Sequence, residues 1–503
     1  MTTTEQPSIA AFDQFTDDAH TTLHNAGIEQ NSFTHVDMTP VIDSAERATD
    51  LDASARLAET YQDKLRYCCG LDWLNWGGNR WKTNSSRAAL ELAKRTARDW
   101  TIKAANFDGE NRDARLKAAH SMETASRIKG ALSLAESDPR LTVSVDQLDS
   151  DPWKLSVLNG TLDLRTGKLL PHDQDDLITK LAPVTYDPDA THPALTRLLR
   201  TVESATPGMS DFLARCLGVS LTGDASTETL FLLQGDGGSG KTTLTEATAK
   251  VLGDYAVKMN FDSFCTSKSG RSPGGASPDL LRLRGSRMAY ASEGDQSARL
   301  DAGRVKELTG NEPITARGLY ASPITFPQTW KLWLVSNYDP KCDSDDTGIW
   351  RRMLKIHFSA IPEADRDPGI KYALMNDPEA QKALLAWLVR GCLDWQQHGG
   401  GREGLAPPES VKALTNAYRA KQDALGEWWD DMLATVAELN EGAFVATKML
   451  RHNYEQWCHE NGARPVQSRR FAAYLESKSL SNTRAGGDRG WLGINMDEGA
   501  STG

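Results

Sequence analysis

The chain is 503 residues long, with 39% hydrophobic and 25% charged residues and a formal net charge of −11 at pH 7. At roughly 150 residues per domain this length makes about three or four domains, and the composition is that of an ordinary globular protein with ample core material. The acidic balance excludes a chain coated in polyanion-binding surface, yet it permits a local basic channel, because the field at a phosphate is set by charges within roughly 10 Å. No stretch reaches the about 18 apolar residues of a membrane helix, so no membrane partner is expected. Met1 to Asp18 is polar and acidic, without the basic and apolar regions of a signal peptide. The seven cysteines stand singly, apart from the neighbours Cys68 and Cys69, and show neither metal-ligand spacing nor a disulfide framework. A reduced, cytoplasmic protein is the expectation.

Residues 1 to about 45 are rich in Thr, Asp, Ser and Gln, with little periodicity, and are expected to be mobile. Leu51 to Tyr67 is helix-like, and Trp73, Trp76 and Trp81, separated by Gly77 and Gly78, suggest a small hairpin. Arg87 to Asn106 and Ala114 to Ala135 are predicted helices. In Val157 to Leu164 the Asn159-Gly160 pair between apolar residues signals a tight turn. Leu195 to Ser204 and Met209 to Leu221 are helix-like and lead into the apolar run Leu230 to Leu233. Further apolar runs at Met288 to Ala291, Leu332 to Val335 and Leu354 to Phe358, separated by helical segments, predict an α/β core. Ala380 to Gln397 and Pro408 to Leu433 are helical, with Gly399-Gly400-Gly401 as a loop between them. The last block, about 440 to 496, holds two helical segments and then a Gly-rich pair of short strands.

The most informative stretch is Gly235-Asp236-Gly237-Gly238-Ser239-Gly240-Lys241-Thr242, between the Leu230 to Leu233 strand and a helical segment from Thr243 to Leu252. Strand, glycine loop and helix in that order form a phosphate-binding P-loop. The glycines let the backbone curl so that successive N–H groups point at an anion, and the helix N-terminus adds partial positive charge. Lys241 would reach the β/γ-phosphates of ATP, and Thr242 would supply a hydroxyl to Mg²⁺, with Thr243 closing the loop.

Downstream positions narrow the chemistry. Arg287 to Glu293 is an apolar strand ending in a carboxylate, placed to orient or deprotonate a water attacking the γ-phosphate with Mg²⁺ near; Glu293 is the candidate base and a metal-side residue, ahead of Asp295. The strand Lys331 to Ser336 ends at Asn337, an amide suited to sensing the γ-phosphate. Arg351-Arg352 precedes the strand Met353 to Phe358, and a guanidinium there could serve a transferring phosphoryl group as an arginine finger or simply form a salt bridge.

Together these residues resemble the superfamily 3 helicases, and within them the phage, plasmid and poxvirus primase–helicase group. The likeness runs through Pro278 to Glu293, Val305 to Gly310, Pro313 to Arg317, Asn337 and Gly348 to Arg352. Trp73 to Trp81 and Lys154 to Tyr186 are similar to the domain that precedes this helicase. Phe444 to Asn495 looks like its C-terminal winged helix. The fold implied is an α/β, AAA+-like P-loop core with an α+β N-terminal domain and a winged-helix C-terminus. The expected boundaries are 1–45, 46–190, 191–375, 376–435 and 436–503. Two departures stand out: the region before Ala45 is too short for a primase–polymerase domain, and Ser292 precedes Glu293 where the family often carries paired acids.

The resemblance implies a hexameric ring of this chain acting on single-stranded and forked DNA in a bacterial host cytoplasm, with a separate primase or polymerase as a further partner. ATP would sit at subunit interfaces, and the finger would be Arg352. A DNA-contacting hairpin would lie between Ile314 and Thr325, with Arg317 and Tyr320 near its tip and Lys306 serving the same channel. Arg317 pairing with an acid and Tyr320 packing in the core is the alternative. In the C-terminal block Arg469, Arg470 and Arg489 would contact duplex DNA from a helix capped by Ser468 and from a wing turn, or else form a solvated basic face. An origin-binding initiator and a scaffold or defence ATPase that does not unwind DNA are the competing functions. A metabolic kinase would leave the hairpin and finger without a role.

Overall fold

A computed structural model describes residues 48–83, 85–266, 278–292, 298–318, 323–342, 346–461 and 465–496. The expected mobile segment 1–45 lies outside these residues. Packing divides the described residues into two units, 48–62 with 87–141 and 63–86 with 142–496. The first contains α1 (Asp50–Tyr61), most of α2 (Ser86–Ala105), α3 (Arg112–Ser121) and α4 (Ala125–Ala135). A capping box starts α1: the Thr49 hydroxyl accepts from the Asp52 N–H at 3.2 Å, and the Asp52 carboxylate accepts from the Thr49 N–H at 3.0 Å. The predicted single helix over 114–135 is instead α3 and α4, broken after Ser121.

In the second unit β1 (Leu65–Cys68), β2 (Asp72–Trp76) and β3 (Trp81–Lys82) form an antiparallel meander. The helix predicted through Tyr67 therefore stops at Tyr61, because pairing with β2 wins the next residues: Tyr67 lies opposite Trp73, their rings 5.3 Å apart. The hairpin expected at Gly77-Gly78 joins β2 to β3, with Gly78 at φ 87°. A second meander of β4 (Lys154–Val157), β5 (Gly160–Asp163) and β6 (Lys168–Leu170) follows. Val157 pairs with Gly160, so the turn is Leu158-Asn159, one residue earlier than the Asn-Gly signal. Leu155, Val157, Leu162 and Leu164 belong to the same buried cluster as Phe231, Leu233 and Trp333. Packing thus carries the segment 142–190 into the unit of the central sheet, across the boundary expected near residue 190.

Helices α5 (Pro193–Ala205) and α6 (Met209–Val219) precede that sheet. Its strands are β7 (Leu230–Gln234), β8 (Ala256–Lys258), β9 (Met288–Ser292), β12 (Lys331–Ser336) and β13 (Met353–His357), all parallel, in the order β13-β7-β12-β9-β8. Between them lie α7 (Lys241–Leu252), α8 (Pro278–Leu281), α9 (Ala302–Thr309), the hairpin β10 (Ile314–Ala316) and β11 (Ile324–Phe326), and α10 (Thr347–Trp350). Alternate residues of β7 and β12 face opposite cores. Phe231, Leu233, Trp333 and Val335 lie in one cluster, and Leu230, Leu232, Leu332 and Leu334 in the other. A parallel sheet needs this two-sided covering, which explains the continuous apolar runs.

After the sheet come α11 (Pro368–Asn376), α12 (Pro378–Gln397), α13 (Glu409–Ala420) and α14 (Ala424–Thr435). The helix predicted over 408–433 is broken into α13 and α14. Trp428 of α14 is buried with Tyr454, Phe471 and Trp491, so this helix packs with the C-terminal block and not with the helices before it. That block holds β14 (Ala437–Ala446), α15 (Thr447–Glu460), α16 (Ser468–Ser477), β15 (Ser481–Ala485) and β16 (Asp488–Met496), with sheet order β14-β16-β15. Two helices followed by a glycine-turned strand pair match the expected order. Ser468, however, is the first residue of α16 and not its cap, which falls at Gln467 without a side-chain bond.

Leu232 is fully buried in the middle of β7. Replacing it with alanine should destabilise the chain by about 2–5 kcal/mol, read as a drop in the denaturant midpoint. A loss below about 1 kcal/mol would contradict its place in the core.

Candidate active site

Every residue of the site grows from the carboxyl ends of the parallel strands. From β7 the chain passes through α7 to the far edge strand β8, returns through β9 to β12, and then crosses to β13 on the other side of β7. The connections leaving β7 and β12 therefore part in opposite directions, which opens a crevice at the ends of these two strands. The glycine loop fills that position.

Gly235 follows Gln234 at φ 150°, and a Cβ there would stand 2.1 Å from the Phe358 carbonyl oxygen. Only glycine allows that approach. Gly238 and Gly240 take φ of 80° and 89°, the left-handed region, and Gly240 is the N-cap of α7 without a side-chain bond. The turn leaves the first N–H groups of a twelve-residue helix facing the loop.

Lys241 is folded back into this loop and is only 4% exposed. Its Nζ donates to the carbonyls of Gly235 at 2.5 Å and Asp236 at 2.9 Å, to Ser239 Oγ at 3.2 Å and to Asn337 Oδ1 at 3.2 Å. Among the described residues no carboxylate is in ion-pair contact with it. Burial lowers its pKa, and the charge of Asp236 opposes that shift only in part. An ammonium whose partners among the described residues are all neutral is under-neutralised there, which favours an anion in the crevice. Asn337 and Lys241, both read from the sequence, are thus brought together from neighbouring strands. Gln234, not singled out in the sequence, joins the strand ends: its Nε2 donates to the Asn337 carbonyl at 3.3 Å, and its Oε1 lies 2.9 Å from His357 Nδ1. Thr242 is exposed on the first turn of α7, Thr243 half-buried, and Asp236 and Gly237 exposed at the rim. Glu293 and Asp295 lie outside the described residues.

The arginine pair is at the other end of the sheet. Met353 lies beside Leu230 and His357 beside Gln234, so Arg351 and Arg352 sit where β7 begins and the glycine loop where it ends. Five residues at about 3.3 Å each separate those levels by roughly 16 Å. Arg352, expected as the finger, is buried, and its Nη2 donates to Glu228 Oε2 at 2.8 Å and its Nη1 to the Gly348 carbonyl at 3.1 Å. Glu228 itself adopts a left-handed φ of 43°, a strained setting for a residue with a Cβ. Arg352 is thus engaged with Glu228 in this chain. Arg351 is the projecting one: its side chain is 68% exposed and comes no nearer than 4.0 Å to Glu228.

Of the expected DNA contacts, Arg317 is exposed beyond β10, and Tyr320 lies outside the described residues. The hairpin itself is present, with Ile314 to Ala316 paired antiparallel to Ile324 to Phe326. Lys306 does not project into open solvent, because its Nζ donates to Asp346 Oδ2 at 2.8 Å. Burial would raise the Asp346 pKa, but the Lys306 bond and the N–H groups of Ile349 and Gly348 hold it below the usual carboxylate value. Asp346 also caps α10, so Lys306 fastens α9 to the turn that carries Arg351. Arg469 is exposed and Arg470 half-buried on α16. Arg489 lies directly opposite Arg484 across the β15–β16 pair, both exposed. Like charges set face to face are unfavourable without an anion between them.

Two family models match in chain order: D5 N terminal like over residues 54–203, and a family of unknown function (DUF5906) over residues 233–352. A protein of Acanthamoeba polyphaga mimivirus named "putative helicase" is 27% identical over 333 residues, covering 62% of this chain and 34% of its own. One of African swine fever virus named "putative primase" is 28% identical over 379 residues, covering 71% and 38%. One of Frog virus 3 named "putative helicase" is 25% identical over 366 residues, covering 57% and 37%. This chain therefore spans little more than a third of the length of these relatives. The apo structure of the NrS-1 C terminal region aligns with a TM-score of 0.50 at 12% identity, over 90% of this chain and 100% of that one, a likeness of fold. With the D5-like match lying ahead of the glycine-loop sheet, and with helicase- and primase-named viral relatives, the chain fits the superfamily 3 primase–helicase group.

Proposed function

We propose that this chain is an ATP-hydrolysing DNA helicase that works as a ring of identical copies, each completing its neighbour's nucleotide site. The observation that carries the reading is the buried Lys241 ammonium, held by carbonyls, a hydroxyl and the Asn337 amide, with no carboxylate against it among the described residues. A triphosphate supplies the charge this group lacks, and the N–H groups of the glycine loop supply its remaining donors. Asn337, within bonding distance of Lys241, would report the state of the terminal phosphate to β12. Thr242, exposed on the first turn of α7, would hold Mg²⁺, which would neutralise charge developing on the phosphate oxygens.

Distance supports the ring. Arg351 stands at the start of β7, roughly 16 Å from its own glycine loop, so the only loop it could serve belongs to another copy. The Lys306–Asp346 bond would then link that arginine to α9 and, through it, to the β10–β11 hairpin, giving hydrolysis a mechanical path to Arg317. Reading the C-terminal block as a winged helix, Arg469 on α16 and the facing pair Arg484 and Arg489 would grip duplex phosphates, with Arg470 beside them.

Three outcomes are expected. Lys241→Ala should abolish ATP binding and hydrolysis with unchanged far-ultraviolet circular dichroism; retained hydrolysis would remove the glycine loop from the chemistry. Arg351→Ala should lose hydrolysis by about a hundredfold or more while still binding ATP. Mixing that variant with Lys241→Ala copies should restore part of the rate, since mixed interfaces then contain one intact site. No recovery on mixing would count against sites shared between copies. Reversing the facing pair, Arg484→Glu with Arg489→Glu, should weaken duplex binding and flatten its salt dependence while sparing ATPase stimulation by single strands. Equal loss of both would deny the C-terminal block a separate role.

A further inference from the structure

Arg366 is an arginine at the mouth of the glycine loop that none of the sequence motifs contains. It follows β13 on the side of the sheet where the loop lies, since His357 at the end of β13 is level with Gln234. Its guanidinium lies flat against the loop: a Cβ on Gly238 would stand 2.6 Å from Arg366 Cζ and 2.9 Å from its Nε. The φ of 80° at Gly238 is what calls for glycine, and the space above it is where the guanidinium lies.

The partners of Arg366 are as telling as its place. Nε donates to the Ile361 carbonyl at 2.9 Å, and Nη2 reaches the Gly237 carbonyl at 3.5 Å. Among the described residues no carboxylate pairs with it. The residue is exposed, yet its backbone is fastened on the far side. Asp367 pairs with Arg197 of α5 and caps α11, and Lys371 of α11 pairs with Glu246 of α7 at 2.9 Å. An arginine stem anchored between α5 and α7, with a fork bound only to carbonyls beside Gly237 and Gly238, keeps N–H donors for an anion seated on that loop. The middle of a P-loop faces the β- and γ-phosphates.

We propose that Arg366 is a phosphate-binding residue acting within its own copy, and that its fork selects the triphosphate over the diphosphate. The proposal rests on the nucleotide reading of Lys241 and deepens it. It gives the site two arginines of different origin: Arg366 from the same chain at the loop, and Arg351 from a neighbour. A lysine at 366 would keep the charge but lose the fork.

The test is equilibrium binding of fluorescent ADP and a fluorescent non-hydrolysable ATP analogue to the full chain as wild type, Arg366→Ala, Arg366→Lys and Lys241→Ala. Arg366→Ala should weaken the triphosphate by about tenfold or more and the diphosphate by less than about threefold, with Arg366→Lys between wild type and alanine. Wild-type discrimination in Arg366→Ala, or equal weakening of both nucleotides, overturns the assignment. If the wild type binds neither nucleotide, the reading of Lys241 itself falls; if it binds both and only Lys241→Ala fails, Arg366 alone is misassigned.

Discussion

The structure is organised around a lysine ammonium taken out of water with no carboxylate in ion-pair contact among the described residues. Removing such a charge from solvent costs several kcal/mol even after relaxation, and neutral acceptors return only part of that. Two carbonyls of its own loop, the Ser239 hydroxyl and the Asn337 amide surround Lys241, and each comes from backbone whose path is fixed elsewhere. The loop can curl only because Gly235 passes within reach of the Phe358 carbonyl and because Gly238 and Gly240 turn left-handed. Asn337 is level with the loop only because β12 runs parallel to β7 in register from Leu332 beside Leu230 to Ser336 beside Gln234. The two apolar cores on either face of the sheet hold that register, so the packing of Leu232 and Trp333 is what places the charge.

Parallel strands also give the site a direction. Groups at their carboxyl ends belong to the chain's own crevice, and groups at their amino ends do not. Arg351 stands two residues before β13 and Arg366 nine residues after it, so the two arginines fall on opposite sides of this divide. The buried Arg352–Glu228 pair fixes the amino end, and the Asp367–Arg197 pair together with α11 fixes the other.

Much of this was legible in the residues. The glycine loop, the strands through Leu230, Met288, Leu332 and Leu354, and Asn337 at a strand tip follow from apolar runs and turn chemistry, because each is a local pattern. What escaped is tertiary. Leu65 to Tyr67 reads as the tail of a helix until Trp73 offers a partner strand. α13 and α14 read as one helix, since nothing in their shared apolar spacing marks the break after Ala420. The choice between Arg351 and Arg352 depends on Glu228, far back in the chain, and so does the tethering of Lys306 by Asp346. Arg366 gave no signal, because an arginine in a loop has no periodicity, and its meaning comes from the glycine it covers. The segments holding Glu293 and Tyr320 lie outside the described residues, so those two assignments rest on the motif order alone.

The claim that adjacent copies complete each other's nucleotide sites is tested most directly by imaging the full chain with single-stranded DNA and a non-hydrolysable ATP analogue. The account predicts closed rings in which Arg351 of one copy reaches the phosphates lying on its neighbour's glycine loop, with Arg366 of that neighbour on the same phosphates. Single copies with nucleotide bound and Arg351 in solvent, or rings whose interfaces leave the glycine loop untouched, would contradict it.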